Sequence, residues 1–221
     1  MNSKAVVLLS GGQDSTTCLF WAIKEGFDIV ALTINYGQRH LSEIESAITV
    51  NRIAGSFRHK IYTLPTLPVE SALIDTEKDI NAPHKINPNL PASFVPGRNA
   101  LFLALAASFG YSFGATTIII GVNQTDFSGY PDCRMPFIHA MGGAMSQALD
   151  TDVSIQAPLI NMPKKDICIT GFALGDKCIE ALSYTTTCYN GSYPPCGTCP
   201  SCVIRAKGFL DAGLKDPLLL R

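Results

Sequence analysis

Near the start of the chain an apolar run, Ala5-Val6-Val7-Leu8-Leu9, passes directly into Ser10-Gly11-Gly12-Gln13-Asp14-Ser15. No other stretch restricts the fold as tightly. A β-branched apolar run closed by Ser-Gly-Gly predicts a buried strand entering a tight turn. Two glycines let the backbone bend steeply and approach a ligand with no Cβ in the way. Thr16-Thr17-Cys18-Leu19-Phe20-Trp21-Ala22-Ile23 then continues as a helix, with Asp14 or Ser15 as its cap. The free N–H groups and positive dipole end of such a helix start suit a phosphate. An ordinary strand–turn–helix corner is the alternative, and the full hexapeptide in this position argues against it. The turn is not of the kinase type. No Gly-Lys-Ser/Thr follows, so the lysine and the hydroxyl that such a loop needs are missing.

The same alternation continues downstream. Asp28–Ile34 reads as a second strand, Asn35–His40 as a polar loop, and Leu41, Ile44 and Ile48 mark a helix running to about Ala54. His59–Leu64 is a third short strand. Thr116–Gly121, β-branched on both faces, is the clearest central strand, and Val153–Leu159 is a fifth. Helices are expected at Ala100–Phe109 with Asn99 as cap, at Pro136–Leu149, from Met162-Pro163-Lys164 onward, and at Ser201–Ala212. Strands alternating with helices predict an α/β fold, a Rossmann-like parallel five-stranded sheet with helices on both faces. Pro65, Pro68, Pro83, Pro88, Pro91 and Pro96 interrupt this rhythm. A long irregular insert of this kind is often functional, and a mobile flap over the site is expected.

The chain has 221 residues, 47% of them apolar, and a formal net charge of −1. That balance gives no long-range attraction to nucleic acid. No apolar run reaches the ~18 residues of a membrane span, and no signal peptide is evident. A cytoplasmic protein is expected, whose eight cysteines are reduced thiols or metal ligands. Four of them, Cys188, Cys196, Cys199 and Cys202, fall in one Gly/Pro-rich segment. Two-residue spacers let thiolates converge on one ion, and four close a tetrahedral Zn²⁺ site with no open position, hence structural. An iron–sulfur cluster is the competitor, and the upstream position of Cys188 favours zinc. Residues 1–183 are therefore expected to form the nucleotide-binding domain, with 184–221 a zinc-stapled tail packed on it. Cys18, Cys168 and Cys178 read as packing residues, and Cys133 has no base beside it.

Three further positions carry charge where chemistry could use it. Arg98 stands just before a buried helix, where a guanidinium can grip a carboxylate or phosphate or simply hold loop carbonyls. Lys164 opens a helix whose dipole disfavours it. The loop after the central strand carries Asp126, Tyr130, Asp132, Cys133 and Arg134 at the sheet edge where ligands bind. Its carboxylates can accept from a guanine-like N–H edge, and Tyr130 can stack on a flat ring. Arg205 and Lys207 in the last helix face solvent or phosphate.

The SGGxDS stretch resembles the PP-loop of the ATP pyrophosphatase superfamily. With Tyr36–His40, Val95–Asn99, Gly121-Val122-Asn123, the run from Asp126 to Arg134 and the tail ending Cys199-Pro200-Ser201-Cys202, the chain resembles the 7-cyano-7-deazaguanine synthase family over nearly its whole length. The Ser-Gly-Tyr-Pro-Asp-Cys-Arg loop and the tail are the selective pieces; Pro65–Pro96 shows no match. The resemblance implies an adenine nucleotide alpha hydrolase-like fold. It implies ATP, with Mg²⁺, bound by Leu8, Leu9, Ser10, Gly11, Gly12, Gln13, Asp14, Ser15, Thr16, Thr17 and Cys18. It implies 7-carboxy-7-deazaguanine held by Asp126, Tyr130, Asp132 and Arg134, catalysis by Asp14, Lys164 and Arg98, and structural Zn²⁺ on the four tail cysteines. The implied reaction makes the acid into an amide with ammonia and then dehydrates it to the nitrile, each step activated by ATP. A homodimer acting on small molecules, with no nucleic acid or membrane, is expected. The competitors are another PP-loop enzyme, a tRNA thiolase or ammonia-dependent synthetase, and a zinc-knuckle module binding nucleic acid. A thiolase would need a reactive cysteine pair, and a knuckle would need a basic stripe.

Overall fold

The protein is described by a computed structural model covering residues 3–39, 42–75, 77–123 and 129–221. The expected site residue Asp126 and the expected helix start at Leu41 lie outside the described residues. Five parallel strands form the sheet: β1 (Lys4–Leu8), β2 (Asp28–Asn35), β3 (Arg58–Thr63), β4 (Thr117–Ile119) and β5 (Ser154–Gln156), in the order β3-β2-β1-β4-β5. Seven α-helices accompany them among the described residues: α1 (Gln13–Lys24), α2 (Ser42–Ala54), α3 (Arg98–Tyr111), α4 (Met135–Leu149), α5 (Lys164–Ala173), α6 (Asp176–Ser183) and α7 (Pro200–Asp211).

The strand sequences explain the layering. Side chains alternate across a strand, so Ala5 and Val7 of β1 enter one core while Val6 and Leu8 enter the other. The first core takes α1, α2, α5 and α6 through Leu19, Val50, Ile167 and Leu182. The second takes α3 and α4 through Leu103, Ala107 and Ile138. A strand covered on both faces reads as an unbroken apolar run, which is what Ala5–Leu9 is. Both faces carry helices, as the alternation predicts.

Several local expectations change. Helix α6 had no separate signal; Gly175, at φ +98°, breaks what reads as one helix into α5 and α6. Asn99 lies inside α3 and is not its cap. Its backbone N–H donates to Asp132 Oδ2 at 3.0 Å, so the capping oxygen comes from a distant segment. The proline-rich insert packs firmly: Leu73, Ile80, Ala92 and Val95 join the second core, and Ala72 N–H donates to Ala92 O at 2.8 Å.

Arg205 faces neither solvent nor phosphate. It is 2% exposed and pairs with Asp216 through Nε and Nη2, at 2.7 and 2.8 Å. Its Nη1 donates to Thr185 and Thr187 hydroxyls at 2.7 and 2.8 Å. A buried charge stripped of its partner is costly, because the survivor stays desolvated. Arg205→Met keeps the stem and removes the charge. It is expected to cost about 3–5 kcal/mol, read in a melting curve as a Tm fall of roughly 10 °C. A fall under about 2 °C would mean that Asp216 and the threonines find other partners.

Candidate active site

The carboxyl ends of β1, β2 and β4 open onto a cavity of about 310 Å³. It lies where the chain reverses its direction across the sheet, with β2 on one side of β1 and β4 on the other. Its floor is the glycine turn: Leu8, Leu9, Ser10, Gly12, Gln13, Asp14 and Ser15 line it. Gly11 turns away, with φ +84°. A Cβ there would overlap the Glu43 carbonyl oxygen and stand 2.7 Å from Ala47 N. Only glycine lets α2 pack so closely on the turn.

Helix α1 has Gly12 at its N-cap and no capping side chain. Its first-turn N–H groups are therefore open to an anion. Neither Asp14 nor Ser15 serves as the expected cap. Ser15 Oγ accepts from Ser10 N–H at 3.2 Å, and Asp14 is engaged elsewhere. Thr16, Thr17 and Cys18 do not line the cavity. The threonine hydroxyls donate back to the Gly12 and Gln13 carbonyls, and Cys18 is buried in the core.

Lys164 reaches across the cavity edge and donates to both oxygens of Asp14, at 2.8 and 2.9 Å. The two side chains are 15% and 23% exposed. This contact offsets the unfavourable dipole at the start of α5. Gly208 of α7 makes room for the lysine stem, since a Cβ there would overlap Lys164 Cγ. Arg98, the first residue of α3, donates to the Tyr36 hydroxyl at 3.4 Å and lies over its ring, 6.0 Å from the centroid. Burial works against its charge, and the phenols of Tyr36 and Tyr130 more than offset that.

The loop after β4 divides by position. Tyr130 lines the cavity, stacks on Phe94 at 5.9 Å, and shares a hydrogen bond with Ser93 at 2.6 Å. Asp132 is buried and occupied with Asn99 at the start of α3. Arg134 is exposed and donates to Gly129 O at 3.3 Å. Neither Asp132 nor Arg134 belongs to the cavity wall among the described residues.

Glu43, to which sequence reasoning gave no role, also lines the cavity. Burial pushes its carboxyl up to about 7, against the pull of Arg98. The unfolded chain releases this proton near 4.5 and the folded chain holds it to about 7, so ionising Glu43 weakens the fold as pH rises between those values. Glu43→Gln removes the penalty. It is expected to raise stability at pH 8 by about 1–3 kcal/mol and to change little near pH 4. Urea titrations at both pH values read this directly, and equal shifts at the two would refute it.

The remaining thiols are inert. Burial raises Cys18, and pushes Cys133 and Cys178 to about 12 and Cys168 to about 11. No thiolate is available from them near neutrality. Cys188, Cys196, Cys199 and Cys202 come together, with all four sulfurs within 4.8 Å of one another. Tetrahedral bonds of ~2.3 Å to one ion set sulfurs about 3.8 Å apart, and Cys196 and Cys202 stand at 3.9 Å. Backbone N–H groups of Tyr189, Cys196 and Cys199 point at Cys199, Cys188 and Cys196 sulfurs, at 3.4, 3.5 and 3.4 Å. Such donors stabilise thiolate ligands. The set fits one structural metal ion. A multi-iron cluster would spread its cysteines over different atoms.

A family model described as "Queuosine biosynthesis protein QueC" matches residues 4–213. The chain belongs to the QueC family. Among curated members, the 7-cyano-7-deazaguanine synthase of Chromobacterium violaceum is 42% identical, covering 100% of this chain and 94% of that protein. The 7-cyano-7-deazaguanine synthase of Laribacter hongkongensis is 41% identical, covering 98% and 94%. Solved structures show the fold family. A predicted subunit of tRNA methyltransferase from Methanocaldococcus jannaschii superposes with TM-score 0.52 at 22% identity, over 76% of this chain and 74% of that one. A 4-thiouridine synthetase in complex with RNA and ATP gives 0.52 at 18% identity, over 99% and 52%. These two share the α/β fold of the QueC chain and, at such identity, nothing finer.

Tyr36, Gln38, Arg39, Thr186, Thr187 and Tyr189 also line the wall. The first three follow β2 directly; in sequence Asn35–His40 reads as a polar loop with no role assigned, although a polar loop at a strand's carboxyl end is a signal that could have found them. The threonines carry no local signal. They reach the cavity because Thr186 N–H donates to Gly11 O at 3.0 Å.

Proposed function

We propose that this QueC-family chain converts 7-carboxy-7-deazaguanine, ammonia and ATP into the nitrile 7-cyano-7-deazaguanine. The observation that carries the reading is near-full-length identity above 40% to synthases of that name, in a chain whose glycine turn opens into a cavity. A carboxylate is a poor electrophile and an amide oxygen a poor leaving group, so each must be phosphoryl- or adenylyl-activated. The Ser10–Ser15 backbone and the open start of α1 would hold the pyrophosphate. Lys164 would exchange Asp14 for phosphate and stabilise the charge that grows there, with Arg98 supporting the reacting carboxyl group. Asp14, once released, would hold Mg²⁺ with the nucleotide. Tyr130 and Asp126 would position the deazaguanine, while Asp132 would act indirectly by fixing α3. Arg134 would serve the base only through loop movement. Zn²⁺ would occupy the four-cysteine site and supply structure, not chemistry. The reading includes a cytoplasmic homodimer that needs no nucleic acid.

Mass analysis after incubation with ATP, ammonium and the deazaguanine acid tests it. The nitrile is expected. Accumulation of the amide alone would remove the second step. Absence of acid-dependent ATP consumption would overturn the whole reading.

A further inference from the structure

The cavity wall contains one carboxylate that the proposed mechanism leaves idle. Glu43 sits in the first turn of α2, and among the described residues its carboxylate takes part in no hydrogen bond or ion pair. The other described acid on that wall, Asp14, is held by Lys164. Behind α2 lies a second cavity of about 250 Å³. Ser42, Glu45, Ser46 and Thr49 line it from α2, and Thr186 and Thr187 belong to the walls of both cavities. The Ser42 hydroxyl is buried without a hydrogen-bond partner among the described residues. Between the two spaces the Thr186 hydroxyl bridges to α2, sharing a hydrogen bond with Ser46 Oγ at 2.6 Å and donating to Ser42 O at 3.5 Å. Glu43 is one helical turn from Ser46 on the same helix. Arg221 also lines this space, with its guanidinium over the Tyr184 and Tyr193 rings. The hydroxyls and the Glu45 carboxylate on the α2 side offer acceptors to a small cation with only N–H donors.

We infer that Glu43 takes the proton from the ammonium nucleophile, which reaches it from the second cavity past the Ser46–Thr186 contact. The inference rests on the amide-forming step proposed above. The carboxylate accepts one proton from NH₄⁺, the N–H electron pair staying on nitrogen. The ammonia attacks the activated acyl carbon; a C–N bond forms and the C–O bond to the activating phosphate breaks. Nitrogen gives a second proton to the departing phosphate oxygen, and Glu43 later returns its own to solvent. Groups facing Glu43 are Tyr36 after β2, Arg98 on α3 and Tyr189 of the tail, with Arg39 on the same wall. The Tyr36 and Tyr189 phenols are both raised, foremost by burial, and stay neutral near pH 7. Arg98 stays charged. Among these described groups, Glu43 is the one whose carboxyl lies at about 7, a value that suits a proton carrier better than a fixed anchor.

The test uses steady-state kinetics of the full chain with ammonium as the varied substrate. Glu43→Gln is expected to lower kcat/KM for ammonium by about 10²-fold or more and to abolish the acidic limb of its pH profile. KM values for ATP and the acid should stay within about twofold. Hydroxylamine, largely unprotonated at neutral pH, should restore most of the lost rate in the variant. Thr49→Phe, which narrows the second cavity from α2, should raise KM for ammonium alone. Loss of acid affinity in Glu43→Gln, equal with both nucleophiles, would show instead a carboxylate holding the ring and would overturn the inference. An unchanged ammonium KM in Thr49→Phe would overturn the route. If the unsubstituted protein consumes no ATP with the acid, the proposed reaction itself has failed, which is a separate outcome.

Discussion

Lys164→Met is expected to lower kcat for ATP-driven amide formation by about 10²–10³-fold while changing KM for ATP less than about threefold. The lysine is anchored from two sides in the free protein. Asp14 accepts from its ammonium, and Gly208 accommodates its stem. An ammonium so placed is a positioned charge that needs little rearrangement when phosphate replaces the carboxylate. Such preorganised charge acts mainly in the transition state, so kcat carries the loss. Methionine preserves the stem's packing and leaves Asp14 partly open to solvent, so the melting temperature should change little. A variant with normal kcat and weakened ATP binding would make Lys164 a ground-state ligand only. Gly208→Ala, which pushes on the stem from α7, should reproduce part of the kcat loss with the ammonium intact.

Cys199→Ser should abolish metal binding and destabilise the fold by more than about 5 kcal/mol, since a closed four-thiolate site is folding free energy outright. Cys199 is fully buried, and its sulfur accepts the Tyr189 N–H. Elemental analysis should fall from one zinc per chain to none, and the thermal transition should drop steeply or split. A strong chelator at moderate temperature should reproduce both effects in the unsubstituted protein. Cys178→Ala provides the comparison: it loses a buried thiol of the other core, outside the cluster, and should keep its metal. Full stability in metal-free protein would reduce the four cysteines to packing.

The central strands β1, β2 and β4 were legible because each is largely apolar sequence, a pattern that burial on both faces requires, whereas the edge strands β3 and β5 are more polar and were read from their place in the alternation. The glycine turn was legible because its neighbours left few other conformations. The four-cysteine site was legible from spacing alone. Long-range partnerships were not. Asp132 looks like a free acid in its loop, yet a backbone N–H of α3 claims it. Arg205 looks like a surface charge on the last helix, yet Asp216, eleven residues on, folds back to pair with it. Glu43 is one of two acids in the first turn of an ordinary amphipathic helix, and the approach of Gly11 to that turn puts it on the cavity. Each of these depends on a contact made across the chain, which no local pattern encodes.

The tail touches the glycine turn through two short chains of atoms. One runs from the cysteine cluster along α7 to Arg205, which grips Thr185 and Thr187, while Thr186 between them holds the Gly11 carbonyl. The other is Gly208, the seat of the Lys164 stem. An ion held at the far end would therefore act like a keystone. Taking it out would loosen the geometry around the phosphate-sized hollow before the sheet itself gave way, so metal-starved protein should lose turnover while still looking folded by its strands.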